Sequence, residues 1–172
     1  MLKTNRLVLR QFEMTDINDF HRLYDNDLVW TYSTRERIGS LIEAKKLLGL
    51  RFLQYIKNEY APYALFTVDG DFVGEAGVYS GTPWRINIGY NLLPEHWGRG
   101  YATEITKGLI QWYFTHSDVQ RIEATTLEDH IVSRRVLEKS GMQLEGTLRK
   151  FALIDGVYKN VCYYGPAGDV LK

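Results

Sequence analysis

Apolar positions along the chain change period several times, and each change marks an element. Residues 6–12 (Arg-Leu-Val-Leu-Arg-Gln-Phe) place β-forming residues between charges at 6 and 10, which predicts a strand near a sheet edge. Ile17, Phe20, Leu23 and Tyr24 then fall on one stripe behind Thr15 or Asp16, a helix with its cap. Asp25 to Thr34 reads as a loop whose Trp30 and Tyr32 either wall a ligand site or simply pack. From Ser40 to about Asn58, Leu41, Ala44, Leu47, Leu48, Phe52, Tyr55 and Ile56 recur at helical spacing, and Pro62 ends that region. Three extended segments follow: Tyr63 to Val68, Phe72 to Tyr79 and Arg85 to Leu93. Asp69-Gly70 is a tight-hairpin signal between the first two, and Gly81-Thr82-Pro83 turns the chain before the third, so an antiparallel meander is expected.

A strand pattern ends in Leu92-Leu93-Pro94-Glu95-His96-Trp97-Gly98-Arg99-Gly100-Tyr101-Ala102-Thr103, and a helical one begins. Ala102, Ile105, Leu109, Ile110, Trp112, Tyr113 and Phe114 make that helix apolar over much of its surface. Val119 to Thr126 is the next strand; with a helix between them, it and Arg85 to Leu93 should run parallel. Ile131 to Ser140 is a short helix stopped by Gly141, and Met142 to Ile154 and Val157 to Tyr164 flank the hairpin signal Asp155-Gly156. The order predicts one α/β domain over residues 1–172, a mixed sheet with helices on both faces.

The two glycines carry the first chemical hint. They lack the β-carbons that would hold a bulky anion off the backbone, and the amides of the following helix start have no intrahelical acceptors. Such a turn at the C-terminal end of a parallel strand suits phosphate or pyrophosphate, although a strand-to-helix connection also uses glycine for steric reasons alone.

Composition narrows the partners. The 172 residues hold 21 Lys+Arg and 21 Asp+Glu, so no charge excess calls for nucleic acid. Cys162 is the single cysteine and forms no internal disulfide, and the first residues lack the apolar run of a signal peptide, which points to the cytoplasm. No apolar run approaches the roughly 20 residues that cross a bilayer. His21, His96 and His116 show no metal-ligand spacing, so no metal is expected; His96 beside the turn reads as a surface histidine or a second base.

Five motifs in order resemble the GNAT superfamily of acyl-CoA-dependent N-acyltransferases, in its RimJ/RimL-type branch. They are Thr4-Asn5-Arg6-Leu7-Val8-Leu9-Arg10, Ile88-Gly89-Tyr90, Trp97-Gly98-Arg99-Gly100-Tyr101-Ala102-Thr103-Glu104, Ser133 to Gly141, and Glu145-Gly146-Thr147-Leu148-Arg149-Lys150 before Asp155-Gly156. The resemblance spans essentially the whole chain. It implies a mixed, mostly antiparallel seven-stranded sheet whose parallel pair splays apart, with the pantetheine arm of acetyl-CoA in the gap. Backbone near Leu92 and Leu93 would then meet that arm, and the amides of Gly98, Arg99, Gly100, Tyr101, Ala102 and Thr103 the pyrophosphate, with Arg99 adding charge. Acetyl transfer to a primary amine, a protein N-terminus or a small molecule, by direct attack in a ternary complex, is the implied reaction. A monomer or homodimer is expected, without nucleic acid or membrane.

The chain departs from the family pattern at several points. Glu95 stands where Gln or Arg is common, and His130 replaces the Asn that bonds the pantetheine arm. Leu137 replaces the tyrosine that often protonates the thiolate, which leaves Ser133 as the candidate acid; a serine there also suits a helix start bonding only backbone. The branch's glutamate base falls at Ala152. Glu75 is the remaining candidate base, because alternation groups it with Val73, Gly77 and Tyr79 on one face, next to small residues that leave room for a substrate; a salt-bridged glutamate is the other reading. Cys162 reads as a buried strand residue and not a nucleophile. The alternative from another class is a catalytically silent acyl-CoA-binding sensor or scaffold.

Overall fold

The structure, a computed structural model, describes residues 2–33 and 37–167. Its elements are β1 (Leu2–Lys3), β2 (Leu7–Arg10), α1 (Ile17–Tyr24), α2 (Asp27–Trp30), α3 (Leu41–Ile56), β3 (Pro62–Thr67), β4 (Phe72–Thr82), β5 (Arg85–Leu92), α4 (Tyr101–His116), β6 (Arg121–Leu127), α5 (Ile131–Lys139), β7 (Met142–Ile154) and β8 (Val157–Pro166). The sheet has eight strands in the order β1-β2-β3-β4-β5-β6-β8-β7. Among the described residues only β5 and β6 pair in parallel; every other neighbour is antiparallel. The eighth strand, β1, adds Leu2 opposite Leu9 and Lys3 opposite Val8, a pairing too short to show a period in the sequence.

Strand alternation sends neighbouring side chains to opposite faces. In β3, Leu65 joins a core with Ile105, Leu109 and Ile110 of α4 and Leu137 of α5, whereas Ala64 joins a second core with Phe20 and Leu23 of α1 and Ala44 and Leu48 of α3. Thus α1 and α3 cover one face, and α4 and α5 the other. Ser40 caps α3, its side chain accepting from the Glu43 amide.

Three expectations shift. Within the stretch read as a loop, Asn26 accepts from the Leu28 amide and starts the short α2; Thr34 lies outside the described residues. Strand β4 continues through Thr82, so the turn into β5 falls at Pro83-Trp84. In β4 the pairing with β3 slips between Leu65 and Phe66, and the bulge puts Val73 in the α4-side core while Glu75 faces α1 and α3. Val73 and Glu75 therefore do not share a face. Gly74 permits this path: its φ is 151°, and a β-carbon would collide with the Asn91 carbonyl. No helix among the described residues is long and apolar enough to cross a membrane.

Candidate active site

Strands β5 and β6 pair only from Arg85 opposite Arg121 to Asn87 opposite Glu123. Beyond that point β6 pairs with β8, from Ala124 to Leu127, while Ile88 to Leu92 of β5 stay paired with β4 alone. The sheet opens there, and backbone groups with no strand partner face the opening. At its β5 end the Leu93 amide donates to Val73 O at 2.9 Å, and the Leu93 carbonyl accepts from the His96 amide at 3.0 Å. The Trp97 indole Nε1 donates to Leu92 O at 2.8 Å, tying the turn back to the strand. A donor group meeting these carbonyls would use their second lone pair.

A 3-10 turn, Pro94–His96, leads into the glycines. Gly98 (φ 71°) and Gly100 (φ 80°) both occupy the left-handed region, where a β-carbon is strained. Gly100 is the cap of α4 and has no side chain to bond its amides; the first helical bond runs from the Glu104 amide to Gly100 O at 3.0 Å. The amides of Tyr101, Ala102 and Thr103 are thereby left without intrahelical acceptors at the positive end of a helix dipole, a fitting seat for pyrophosphate. Glu95 turns from it: its carboxylate lies 3.3 Å from Arg22 Nη1 of α1. Arg99 is exposed. His96 is 9% exposed, so the reading of a surface histidine is corrected: the 3-10 turn folds its ring inward, 6.1 Å from the Tyr101 ring centroid.

Across the opening, His130 precedes α5 and stacks on Tyr32, with ring centroids 4.0 Å apart and planes at 5°. Burial pushes the imidazole below its ordinary pKa, against the opposing pull of Asp129. Of the two loop aromatics, Trp30 packs in the α1–α3 core and donates to Leu23 O at 3.0 Å, while Tyr32 meets the site. Tyr90 of β5 donates to Ser133 Oγ of α5 at 3.5 Å, a long contact spanning the opening. Burial raises the Tyr90 pKa, with the Ser133 contact acting in the other direction. Leu137 is buried in the core.

Glu75 is fully buried. Tyr24 Oη donates to both carboxylate oxygens, at 3.1 and 3.0 Å; Tyr79 Oη and Asn91 Nδ2 each donate to Oε1 at 3.0 Å. Arg51 Nη2 lies 3.6 Å from Oε2 and donates to Tyr24 Oη at 3.0 Å. Burial opposes the Arg51 charge, yet Glu75 and the surrounding phenols leave its pKa raised. Burial, and then Glu75, hold the Tyr79 phenol well above its ordinary value, so it remains a proton donor. The space expected beside Glu75 is thus filled by Tyr24, Arg51 and Tyr79. Asn91 stands opposite Glu75 on β5, so the cluster backs the strand that borders the opening. Cys162 is buried in β8 within 3.5 Å of Thr147 Oγ1, and Ala152 on β7 supplies no carboxylate.

Sequence reasoning quoted Arg6 and Tyr90 within motifs but gave them no role, and it missed Asn91 and Arg51. One signal was available: Arg51 interrupts the apolar stripe of α3 between Leu48 and Phe52, and a cation on a buried stripe requires a buried acid.

The acetyltransferase (GNAT) domain family matches residues 6–143. A Bacillus subtilis (strain 168) protein named uncharacterized N-acetyltransferase YoaA is 29% identical over 159 residues, covering 91% of this chain and 90% of the relative. Among solved structures, a RimL ribosomal L7/L12 α-N-protein acetyltransferase in complex with coenzyme A superposes with TM-score 0.87 at 20% identity, covering 98% of this chain and 97% of that one. A spermidine N-acetyltransferase from Vibrio cholerae in complex with CoA and spermine gives 0.83 at 20%, covering 94% and 95%. At those identities the superpositions establish the GNAT fold. With four-fifths of its length matched by the domain family, the chain belongs to the GNAT acetyltransferases and is an acyl-CoA-dependent acyltransferase.

Proposed function

We propose that this chain, read as a RimJ/RimL-type GNAT enzyme, transfers the acetyl group of acetyl-CoA to a primary amine, a protein N-terminus or a small molecule, by direct attack in a ternary complex. The observation that carries the reading is the parting of β5 and β6 between an uncapped helix start on one side and the Tyr90–Ser133 contact on the other. In this reading the amides of Gly98 to Thr103 hold the pyrophosphate with Arg99 nearby, and backbone at Leu92 and Leu93 together with His130 lines the pantetheine path.

The thioester supplies an activated acyl carbon: the amine nitrogen bonds to it, the C–S bond breaks, and the sulfur leaves as thiolate. The chain must then move two protons. In this reading Ser133 Oγ–H protonates the sulfur, and its oxygen regains a proton from the Tyr90 phenol that donates to it, which water then reprotonates, so the phenol both aims and restores the hydroxyl. Glu75 is buried, so in this reading it acts as base through a phenol bonded to it: as Tyr79 Oη takes the amine proton, its own proton passes to Glu75 Oε1. A peptide α-amine, with pKa near 8, needs less help than a lysine-like amine near 10.4.

An acceptor screen tests the reading. The protein is incubated with acetyl-CoA and a panel of peptides, polyamines, amino acids and aminoglycosides, and thiol release is followed with product mass. Release with at least one amine is expected. Tight acetyl-CoA binding without turnover on any acceptor would instead favour a silent acyl-CoA sensor.

A further inference from the structure

Arg6 lies between β1 and β2, yet its side chain ends at the turn that opens α4, 93 residues further on at Arg99. Its Nε donates to Glu104 Oε2 at 2.7 Å, and Nη2 lies 2.6 Å from the same oxygen. Its Nη1 donates to the Arg99 carbonyl at 3.0 Å, and its Cζ sits 4.7 Å over the centroid of the Tyr101 ring. Glu104 is itself anchored: Oε1 accepts from Thr4 Oγ1 at 2.6 Å and from the Arg6 amide at 2.9 Å. The segment joining β1 to β2 and the first turn of α4 are therefore riveted together through one arginine and one carboxylate.

The consequence follows from peptide planarity. In a trans peptide the C=O and N–H point in opposite directions. Arg6 pins the carbonyl of Arg99, so the N–H of Gly100 in the same peptide points away from Arg6. Without a pin this peptide would flip cheaply, because the flip turns on ψ of Arg99 and φ of Gly100, and glycine accepts either sign of φ. A turn made of two glycines lets an anion approach but also spreads its amides over many orientations. Removing that freedom before binding improves affinity by preorganisation.

We propose that Arg6, anchored by Glu104, is a positioning residue that holds the Arg99–Gly100 peptide so that its amide joins those of Tyr101, Ala102 and Thr103, and that it thereby sets affinity for the phosphate end of the acyl donor. The proposal rests on the reading of this turn as the pyrophosphate seat. Arg6 acts through geometry, since its charge is already matched by Glu104. A lysine cannot replace it: an ammonium on a flexible stem lacks the fork that reaches a carboxylate and a carbonyl together.

Dissociation constants for coenzyme A and for pantetheine, which lacks the phosphates, are measured by NMR titration on the wild type, Arg6→Ala, Arg6→Lys and Glu104→Gln. Arg6→Ala is expected to weaken coenzyme A roughly tenfold or more, the scale of a lost charge-assisted hydrogen bond, and to leave pantetheine unchanged. Arg6→Lys should lose as much. Glu104→Gln, which keeps an acceptor for Thr4, should weaken coenzyme A selectively even if Arg6→Ala fails to fold. Wild-type coenzyme A affinity in Arg6→Ala or Arg6→Lys overturns the proposal, and so does an equal loss for pantetheine. A wild type that binds coenzyme A no better than pantetheine refutes the pyrophosphate seat itself.

Discussion

Arg51 and Glu75 form a buried ion pair, 3.6 Å from Nη2 to Oε2, between the long helix α3 and the middle of the sheet. Both side chains are almost wholly shielded from water, at 5% and 0% exposed. A buried pair of this kind contributes little over an apolar substitute, but removing one partner strands the other charge. Arg51→Met is therefore expected to lower unfolding stability by about 3 kcal/mol or more in urea titrations. Arg51→Met combined with Glu75→Leu should cost clearly less than the sum of the single changes. Additive costs would mean that the two charges are solvated separately.

Ser133 and Tyr90 divide one task if the phenol aims the serine hydroxyl. Ser133→Ala should lower kcat by about 10- to 100-fold while leaving the KM for acetyl-CoA near its wild-type value, as for loss of a proton donor used only in the chemical step. Tyr90→Phe should lower kcat less. The double variant should fall no further than Ser133→Ala, because residues acting as a unit are not additive. Unchanged kcat in Ser133→Ala would leave that serine as a helix-start residue only.

His130 makes the protein acid-sensitive on the side of the opening. Its folded pKa is depressed, chiefly by burial, so the unfolded chain binds more protons as pH falls below about 6.5. Stability contributed by the neutral ring is complete above that pH and is lost progressively below it. The facing groups are Tyr32, stacked on the ring, and Asp129, which limits the depression. Melting curves between pH 7.5 and 5 (roughly spanning the ordinary histidine range) should show a steeper acid loss for the wild type than for His130→Asn. Parallel curves would remove His130 from the acid response.

Most of the architecture was readable because the periods are long: α3 and α4 show helical spacing over several turns, and paired hairpin signals bracket the meander and the final strands. What escaped reading has local causes. Leu2 and Lys3 are too few to show alternation, and the bulge near Phe66 shifts Val73 by half a strand period, reversing its face relative to Glu75. The uncapped amides after the glycine turn were legible because they are a backbone feature, which two glycines before a helical period announce. Arg6 was not, since a side chain reaching 93 residues along the chain leaves no local pattern. Glu75 stood out as a strand carboxylate needing a partner or a task, but only tertiary packing reveals the shell of Tyr24, Arg51, Tyr79 and Asn91 around it.

The acid beside the seat yields a last prediction. Glu95 is half-exposed and its only charge partner among the described residues is Arg22, also half-exposed, at 3.3 Å. Such surface pairs contribute at most about 1 kcal/mol and are weakened by salt. Arg22→Ala frees a carboxylate one turn ahead of the glycines, and a negative charge there repels pyrophosphate. Coenzyme A affinity should fall by about two- to fivefold at low ionic strength, an effect that shrinks as salt is raised. Glu95→Gln should reverse the loss in the Arg22→Ala background, since it removes the repelling charge itself. Gly100→Glu sets the upper limit: it strains a residue at φ 80°, and its β-carbon falls 3.5 Å from Arg6 Nη2, where a carboxylate would draw Arg6 off the Arg99 carbonyl, so coenzyme A binding should vanish. If Gly100→Glu binds coenzyme A normally, phosphate is held elsewhere and the Arg22–Glu95 pair has no bearing on it.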